Sequence, residues 1–256
     1  MRTRIIRLVM VASLTLPLAC RNRFTPPPEQ SGRGGSGPAG APTMSPMSGY
    51  DIYLNAFHLT KDQPSHAMEA HHYCKPVNDE FAQCVLFDGN TAEAHMVGIE
   101  YIISERLFET LPAQERAYWH PHNYEILSGQ LILPYASPAD EKKALAGKMN
   151  SYGKTWHLWM TGLFGQPGDE LPLGPATLEW SYNADGEAPR GLIEQRDRRF
   201  GISTDQKRMD RTDIAGLAHP QEGVDALAPA FPYRQSIPGV VDKYQPRVQE
   251  RQPNWR

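Results

Sequence analysis

The sequence predicts an α+β fold, a single domain in which helices pack on a mostly antiparallel mixed sheet. Two observations lead to this prediction. Short segments rich in β-branched and aromatic residues recur along the chain and are bounded by turn residues, as strands are. Helical patterns fall between some of these segments, but strands and helices do not alternate strictly, as they would in a parallel βαβ fold.

Four strands are predicted in the first half of the domain, at 51–59, 68–74, 81–87 and 97–103. The second and third form a hairpin, and a turn centred on Asp79 sets Cys74 opposite Cys84. Their Cβ atoms would then lie about 4.5–5.5 Å apart, within reach of a disulfide after a small adjustment. The two cysteines are therefore candidates for a disulfide in an oxidising compartment. The alternative is a pair of reduced, buried cysteines on neighbouring strands.

The later elements follow from capping and turn residues. Residues 183–186 (Asn-Ala-Asp-Gly) are a strong turn signal, and Gly153 is expected to end a helix. Helices are predicted at 104–111, 112–119, 139–152, 189–200 and 204–214, a hairpin at 124–133, and strands at 155–160 and 176–182.

The N-terminus has the pattern of an export signal. Three arginines precede a short, mostly apolar run at 8–18, which is too short for a membrane span of about 20 residues. The following Leu18-Ala19-Cys20 resembles a bacterial lipobox, in which the cysteine is lipid-modified; ordinary secretion with cleavage near Ala19 is the alternative. Because Arg21 rather than aspartate follows, we expect an outer-membrane lipoprotein facing the periplasm.

The chain is expected to divide into four parts. These are a signal peptide (1–19), the lipidated Cys20 with a Pro/Gly-rich tether (20–49), the folded domain (50–232), and a Pro/Arg-rich tail (233–256). Loss of the signal removes three arginines, which leaves 23 basic residues against 29 acidic ones and a net charge near −6. An acidic chain with no basic stripe is not expected to bind nucleic acid.

Five of the nine histidines fall in three aromatic-rich motifs, at 69–74, 119–125 and 153–159. Imidazoles and carboxylates bind transition metals and transfer protons near neutral pH. The candidate ligands of a divalent transition metal are His71, His72, His120, His122, Glu125 and His157.

Strand geometry limits how these histidines combine. Neighbouring residues of a strand face opposite ways, so His71 and His72 cannot both face inward, whereas His120 and His122 can. His-x-His with a carboxylate close behind is similar to the first metal motif of cupins, although Glu125 follows at a shorter spacing and no second motif is found. Two alternatives remain: structural histidines bonded to carboxylates such as Glu69 and Glu100, and metal-free acid–base chemistry.

The chain resembles the plant oil body-associated proteins and their bacterial and fungal relatives, a domain family of unknown function. The resemblance runs from about residue 50 to 217 and rests on motifs at 69–74, 83–85, 98–105, 107–112, 119–125, 152–157, 171–174 and 199–202. It implies association with lipid surfaces, and it supplies no reaction, cofactor or catalytic residue.

Two functional hypotheses follow from the sequence. The first is a non-enzymatic, membrane-tethered envelope protein that acts at a lipid surface or on another envelope component. The second is a metal-binding protein or metal-dependent enzyme that uses the histidine and glutamate cluster.

Overall fold

A computed structural model describes the protein over residues 45–161 and 171–244. The expected signal peptide, Cys20 and most of the tether lie outside the described residues. No helix in the described ranges has the length and hydropathy that crossing a membrane requires. Residues 233–244 of the expected tail pack against the domain, with Ile237 and Val240 buried, and residues 245–256 lie outside the described part.

Strands dominate the described structure, and most helices are short. The strands are β1 (Ile52–Thr60), β2 (Gln63–Asn78), β3 (Phe81–Phe87), β4 (Met96–Ile103), β5 (His120–Pro121), β6 (Tyr152–His157) and β7 (Thr177–Trp180). The helices are α1 (Glu105–Glu109), α2 (Ala113–Arg116), α3 (Asn123–Ser128), α4 (Pro138–Ala146), α5 (Arg190–Phe200) and α6 (Thr204–Asp210), followed by a 3₁₀ helix at Thr212–Leu217.

Six antiparallel strands close into a barrel. The ring runs β1–β2–β3–β4–β6–β7 and returns to β1, while the two-residue β5 adds to β6. The predicted α+β fold, in which helices pack on a mostly antiparallel mixed sheet, was therefore wrong. Each of the six barrel strands was predicted at least in part from its local pattern, whereas the two-residue β5 was not. Closure depends on pairing β4 with β6 across a long separation, which no local pattern encodes.

The predicted hairpin of the second and third strands is confirmed. Cys74 lies opposite Cys84 in the β2–β3 ladder, and a disulfide joins them across a Cα–Cα distance of 4.0 Å. Cys74 faces the barrel interior, as does His72 two residues earlier. The disulfide therefore links two neighbouring strands of the barrel wall, β2 and β3.

The hairpin predicted at 124–133 was wrong, because residues 123–128 form α3, which ends at Gly129 with φ 84°. Every residue of α3 is buried, so its sequence shows no amphipathic stripe, and a short apolar run fits either structure. The helix predicted to end at Gly153 stops at Ala146 instead. Tyr152 and Gly153 belong to β6, which pairs with β4 and β5.

The apolar core lies largely outside the barrel, between its wall and the later helices. Phe57 and Leu59 of β1 and Trp180 of β7 are buried there against α3 and against the segment that contains Val224 and Leu227. With apolar side chains on this outer face, the alternate positions of the same strands face the barrel interior. Many of those interior positions are polar.

Candidate metal centre

The barrel interior holds a buried cluster of histidines and glutamates. Strand alternation directs His58 of β1, His72 of β2, Glu100 of β4 and His157 of β6 into it. His120 of β5 joins them, because it pairs with Gly153 on the same face of the ladder. All five side chains are nearly inaccessible to solvent.

Glu100 lies at the centre of the cluster. Its Oε2 is 2.8 Å from Nε2 of His72, the distance of a strong charge-assisted hydrogen bond. Its Oε1 lies 3.3 Å from Nε2 of His122 and 3.6 Å from Nε2 of His120. The first oxygen is engaged, whereas the second is surrounded by nitrogens at distances too long for good hydrogen bonds.

The second part of the cluster depends on the β5–α3 connection. Residues 120 and 122 point to the same side of the short extended segment, and α3 begins directly after His122. One helical turn brings Glu125 back to that side, with its Oε2 4.0 Å from Nε2 of His122. Nδ1 of His122 lies 2.8 Å from Oγ of Ser151, which orients the ring so that Nε2 faces Glu100.

Gly153 leaves room for this arrangement. A Cβ at this position would lie 2.6 Å from Nε2 of His122 and 2.7 Å from Nε2 of His120, and would also collide with Oε1 of Glu100. Glycine is therefore required where the three donor atoms converge, and the space beside Gly153 is bounded by those atoms.

A second layer of polar groups surrounds the centre. Nδ1 of His58 lies 3.4 Å from Nε2 of His157, and Nδ1 of His157 lies 3.8 Å from Oε2 of Glu179. Hydroxyl groups of Thr60 and Thr177 donate to Oε1 of Glu179 at 3.1 and 2.7 Å. Glu179 is thus held by threonines at the edge of the cluster.

Burial governs protonation in the cluster. It lowers the pKa of His120 and of His157 to about 3 each, and the pKa of His58 well below its ordinary value. Burial also raises the pKa of Glu125, helped by nearby Glu100. For Glu100, burial acts in the raising direction, but hydrogen bonds from His122 and His72 outweigh it and hold the pKa well below its usual range.

Two overlapping sets of donor atoms each have the spacing that a metal ion requires. One donor atom each of His120, His122 and Glu125 lies within 4.8 Å of the others, as does one each of His58, Glu100 and His120. Two ligands of a tetrahedral ion bound at about 2.0–2.1 Å lie about 3.3 Å apart. The distances of 3.3 and 3.6 Å around Oε1 of Glu100 match this value.

His71 is not part of this cluster, which corrects its inclusion among the candidate ligands. It lies on the outer face of β2, where Oη of Tyr53 is 2.6 Å from its Nδ1 and Glu69 lies beside its ring. Arg199 of α5 donates to Glu69 at 2.7 Å and covers this region. Strand alternation separates His71 from His72, so only His72 faces inward.

His58, Glu100 and Glu179 belong to the cluster but were not among the predicted ligands. His58 lies in a predicted strand, two and four residues after Ala56 and Leu54, so it faces the same side as these apolar residues. This spacing could have indicated that His58 faces the interior. Glu100 interrupts an apolar strand, and a charge in such a position needs a buried partner. Glu179 had no comparable signal, because its strand faces the interior through only a few residues.

An apolar cavity of about 260 Å³ opens above the cluster. His58, His72, Glu100, His122 and Glu125 contribute to its lining, together with apolar side chains of β1, β4, α4 and the segment after α3. The histidines and glutamates thus form the polar end of an otherwise apolar chamber.

Fold and site together define a class: a small antiparallel β-barrel protein with a buried histidine–carboxylate centre. The chain belongs to the family described as "Protein of unknown function (DUF1264)", whose model matches residues 44–215. All of the cluster residues lie within that range.

Plant relatives share most of this domain. The chain is 36% identical to oil body-associated protein 1B of Arabidopsis thaliana over 73% of this chain and 74% of the relative. It is 35% identical to oil body-associated protein 1A of Zea mays, with coverage of 73% and 76%. It is 34% identical to oil body-associated protein 2B of Arabidopsis thaliana, with coverage of 81% and 86%. No solved structure matches the chain.

Proposed function

We propose that this protein binds a divalent first-row transition-metal ion inside the barrel. Glu100, His120 and His122 are the primary ligands, with His58 and Glu125 within reach to complete the coordination. A set of nitrogen and carboxylate oxygen donors without thiolate suits zinc and iron(II).

One observation carries the proposal: three buried donor atoms converge beside Gly153, and the only hydrogen bond between them in the described structure is the long one, 3.3 Å, from His122 to Glu100. Within the described residues, neither ring nitrogen of His120 makes a hydrogen bond, although the side chain is fully buried. If these histidines had a purely structural role, we would expect them to approach Glu100 as His72 does, at 2.8 Å. Separations of 3.3 and 3.6 Å instead suit ligands arranged around an ion.

The surrounding contacts favour the same role. His72 holds one oxygen of Glu100 and Ser151 holds Nδ1 of His122, so two of the three primary ligands are oriented by a second group. Such second partners are usual for metal ligands, since they fix the ring or carboxylate in position. The low pKa of His120 keeps its imidazole neutral, which is the form that binds metal.

Elemental analysis tests the proposal. The full chain carrying Cys20→Ala would be purified without chelators or a histidine tag, and we expect about one metal ion per chain, as for a single closed site. Joint replacement of His120 and His122 by alanine should abolish metal content. His219→Ala is the matched control, because this exposed histidine pairs with Glu105 away from the barrel interior.

Two outcomes would contradict the metal site. One is a protein that remains metal-free after incubation with zinc, iron(II), manganese and copper(II). The other is a double histidine variant that folds, as judged by circular dichroism, and still retains the wild-type metal content.

We also propose that a lipid on Cys20 anchors the domain at the outer membrane. The lipobox-like Leu18-Ala19-Cys20 behind a basic and apolar leader supports this location. The names of the plant relatives associate them with oil bodies, which agrees with action at a lipid surface. Cys20→Ala should move the protein from the membrane to the soluble fraction; unchanged fractionation would refute the anchor.

In this location the protein has two candidate roles. The metal centre and its cavity favour a metal-binding protein or metal-dependent enzyme over a passive envelope component. If no metal binds, the non-enzymatic role at the envelope is the one left to test, with lipid vesicles as the first probe.

A further inference from the structure

The cavity above the metal centre has a mouth and a floor. Along β2, the inward-facing Asn78 and Pro76 are exposed, whereas Cys74 and His72 are buried. Along β1, exposure falls from 38% at Ile52 to 1% at His58. Both strands therefore run from solvent at one end of the cavity to the histidine cluster at the other.

Wall and floor differ in chemistry. The wall is apolar, formed mainly by Ile52, Leu54, Ala56, Ile102, Leu131 and Leu145. The floor carries polar atoms that make no hydrogen bond within the described structure, including Nδ1 of His72 and Oε1 of Glu125. Both side chains are more than nine-tenths buried and line the cavity. A ligand that matches this cavity has an apolar body and one polar end.

We propose that the cavity binds a small aliphatic molecule with a single oxygen head group, a carboxylate or an alcohol. The chain lies along the apolar wall and the oxygen reaches the floor, where the metal ion and the free polar atoms of His72 and Glu125 meet it. Only the contact of the oxygen with the metal rests on the proposed function; the fit of the chain rests on the cavity itself.

The size of the cavity sets the length of the ligand. At about 30 Å³ for each water-sized group, 260 Å³ holds roughly nine non-hydrogen atoms. A chain of about seven or eight carbons with its head group fills that space. Each methylene buried contributes about 0.8 kcal/mol, which is about a fourfold gain in affinity. Affinity should therefore rise about fourfold per methylene from butyrate to octanoate and then level off in longer chains.

The test uses calorimetric titration of the metal-loaded full chain carrying Cys20→Ala with butyrate, hexanoate, octanoate, dodecanoate and octan-1-ol. Ala144 lines the cavity from the exposed side of α4, so Ala144→Trp should obstruct it with little effect on folding. We expect at least tenfold weaker binding of octanoate and unchanged metal content. Ala139→Trp is the matched control, because Ala139 is exposed on the same helix and does not line the cavity.

The outcomes separate this inference from the metal proposal. Metal uptake with no octanoate or octanol binding, or with binding that is independent of chain length, overturns the inference and leaves the metal site intact. Binding that depends on chain length and is weakened by Ala144→Trp supports it, and comparison of octanoate with octan-1-ol identifies the head group. If the protein takes up no metal yet shows this chain-length dependence, the metal proposal fails and the cavity assignment stands.

Discussion

Substituting Gly153 tests the metal centre without removing any of its ligands. Gly153 does not have a positive φ, so alanine suits its backbone. The added Cβ, however, would lie 2.6 and 2.7 Å from Nε2 of His122 and His120 and would overlap Oε1 of Glu100. Non-bonded contacts to carbon are normally about 3.5 Å, so the two histidine nitrogens must move by about 0.8–0.9 Å and Oε1 of Glu100 by more.

The expected loss follows from that displacement. Metal sites tolerate ligand shifts of about 0.2 Å, and here three ligands move by several times that amount. We expect at least a 100-fold loss of affinity, which corresponds to about 2.8 kcal/mol. At a metal concentration 100 times the wild-type Kd, the metal stabilises the wild type by about 2.7 kcal/mol, but stabilises Gly153→Ala by only about 0.4 kcal/mol.

Thermal denaturation with and without metal measures this difference. At about 2–4 °C per kcal/mol for a domain of this size, metal should raise the wild-type Tm by about 5–11 °C and that of Gly153→Ala by about 1–2 °C. Gly98→Ala is the control, because its Cβ would crowd the carbonyl oxygen of Trp156 and lie 3.0 Å from Cδ2 of His157, away from the three donors. It should lower Tm without metal and keep the metal-induced rise. A wild-type rise in Gly153→Ala would refute the proposed position of the ion.

Three further predictions concern the Cys74–Cys84 disulfide and the protonation of the metal centre. Replacing both Cys74 and Cys84 by serine should lower the free energy of unfolding by about 2–3 kcal/mol, because the bond closes a short loop; urea denaturation and intact mass with and without reductant check this, and unchanged stability would contradict it. Burial raises the pKa of Glu125, so metal uptake should displace its proton. Calorimetry of metal binding in buffers of different ionisation enthalpy should show that Glu125→Gln releases fewer protons than the wild type. Equal proton release by the two proteins would exclude Glu125 as a ligand. Burial lowers the pKa of His120 and His157 to about 3, so the unfolded chain takes up protons first as pH falls below about 6.5. Each histidine then costs the metal-free domain about 1.4 kcal/mol per pH unit down to about pH 3. The urea concentration at the unfolding midpoint should therefore decrease as the pH is lowered from 4.5 to 3.5. This window lies below the range where buried glutamates of raised pKa act in the opposite direction. A midpoint that does not change with pH would contradict this, and His157→Asn should make the decrease less steep.

The sequence predicted local structure well where the chain alternates or carries clear caps. The β2–β3 hairpin and its register were accessible because both strands alternate and the connection is short. The α3 helix was not accessible, because it is buried on every side and so lacks a periodic stripe. Closure of the barrel was hidden for a different reason: β4 and β6 meet only through their tertiary arrangement.

The residues of the metal centre could be predicted from the sequence only in part, for the same physical reasons. His120 and His122 were paired correctly on one side of an extended segment, since alternation needs no knowledge of the fold. The sequence could not show whether His71 or His72 faces inward. Both faces of β2 are covered here, so its sequence pattern is compatible with either histidine on the inner face. His58 and Glu100 reach the centre only because the ring closes, and the role of Gly153 depends on atoms from β4, β5 and α3.

Two buried arginines tie the C-terminal helices to the segment that carries Glu125. Arg211 donates to the carbonyl oxygens of Ile126 at 2.6 Å and Leu131 at 2.9 Å, and Arg196 donates to that of Gln130 at 2.9 Å. A fragment ending after β7 would retain every strand and yet lose these arginine hydrogen bonds to the α3 segment. The region matched by the family model ends at residue 215, just after Arg211, and so includes both guanidinium groups. The range covered by the family model thus includes the barrel and the two arginines that hold the Glu125 segment from outside the barrel wall.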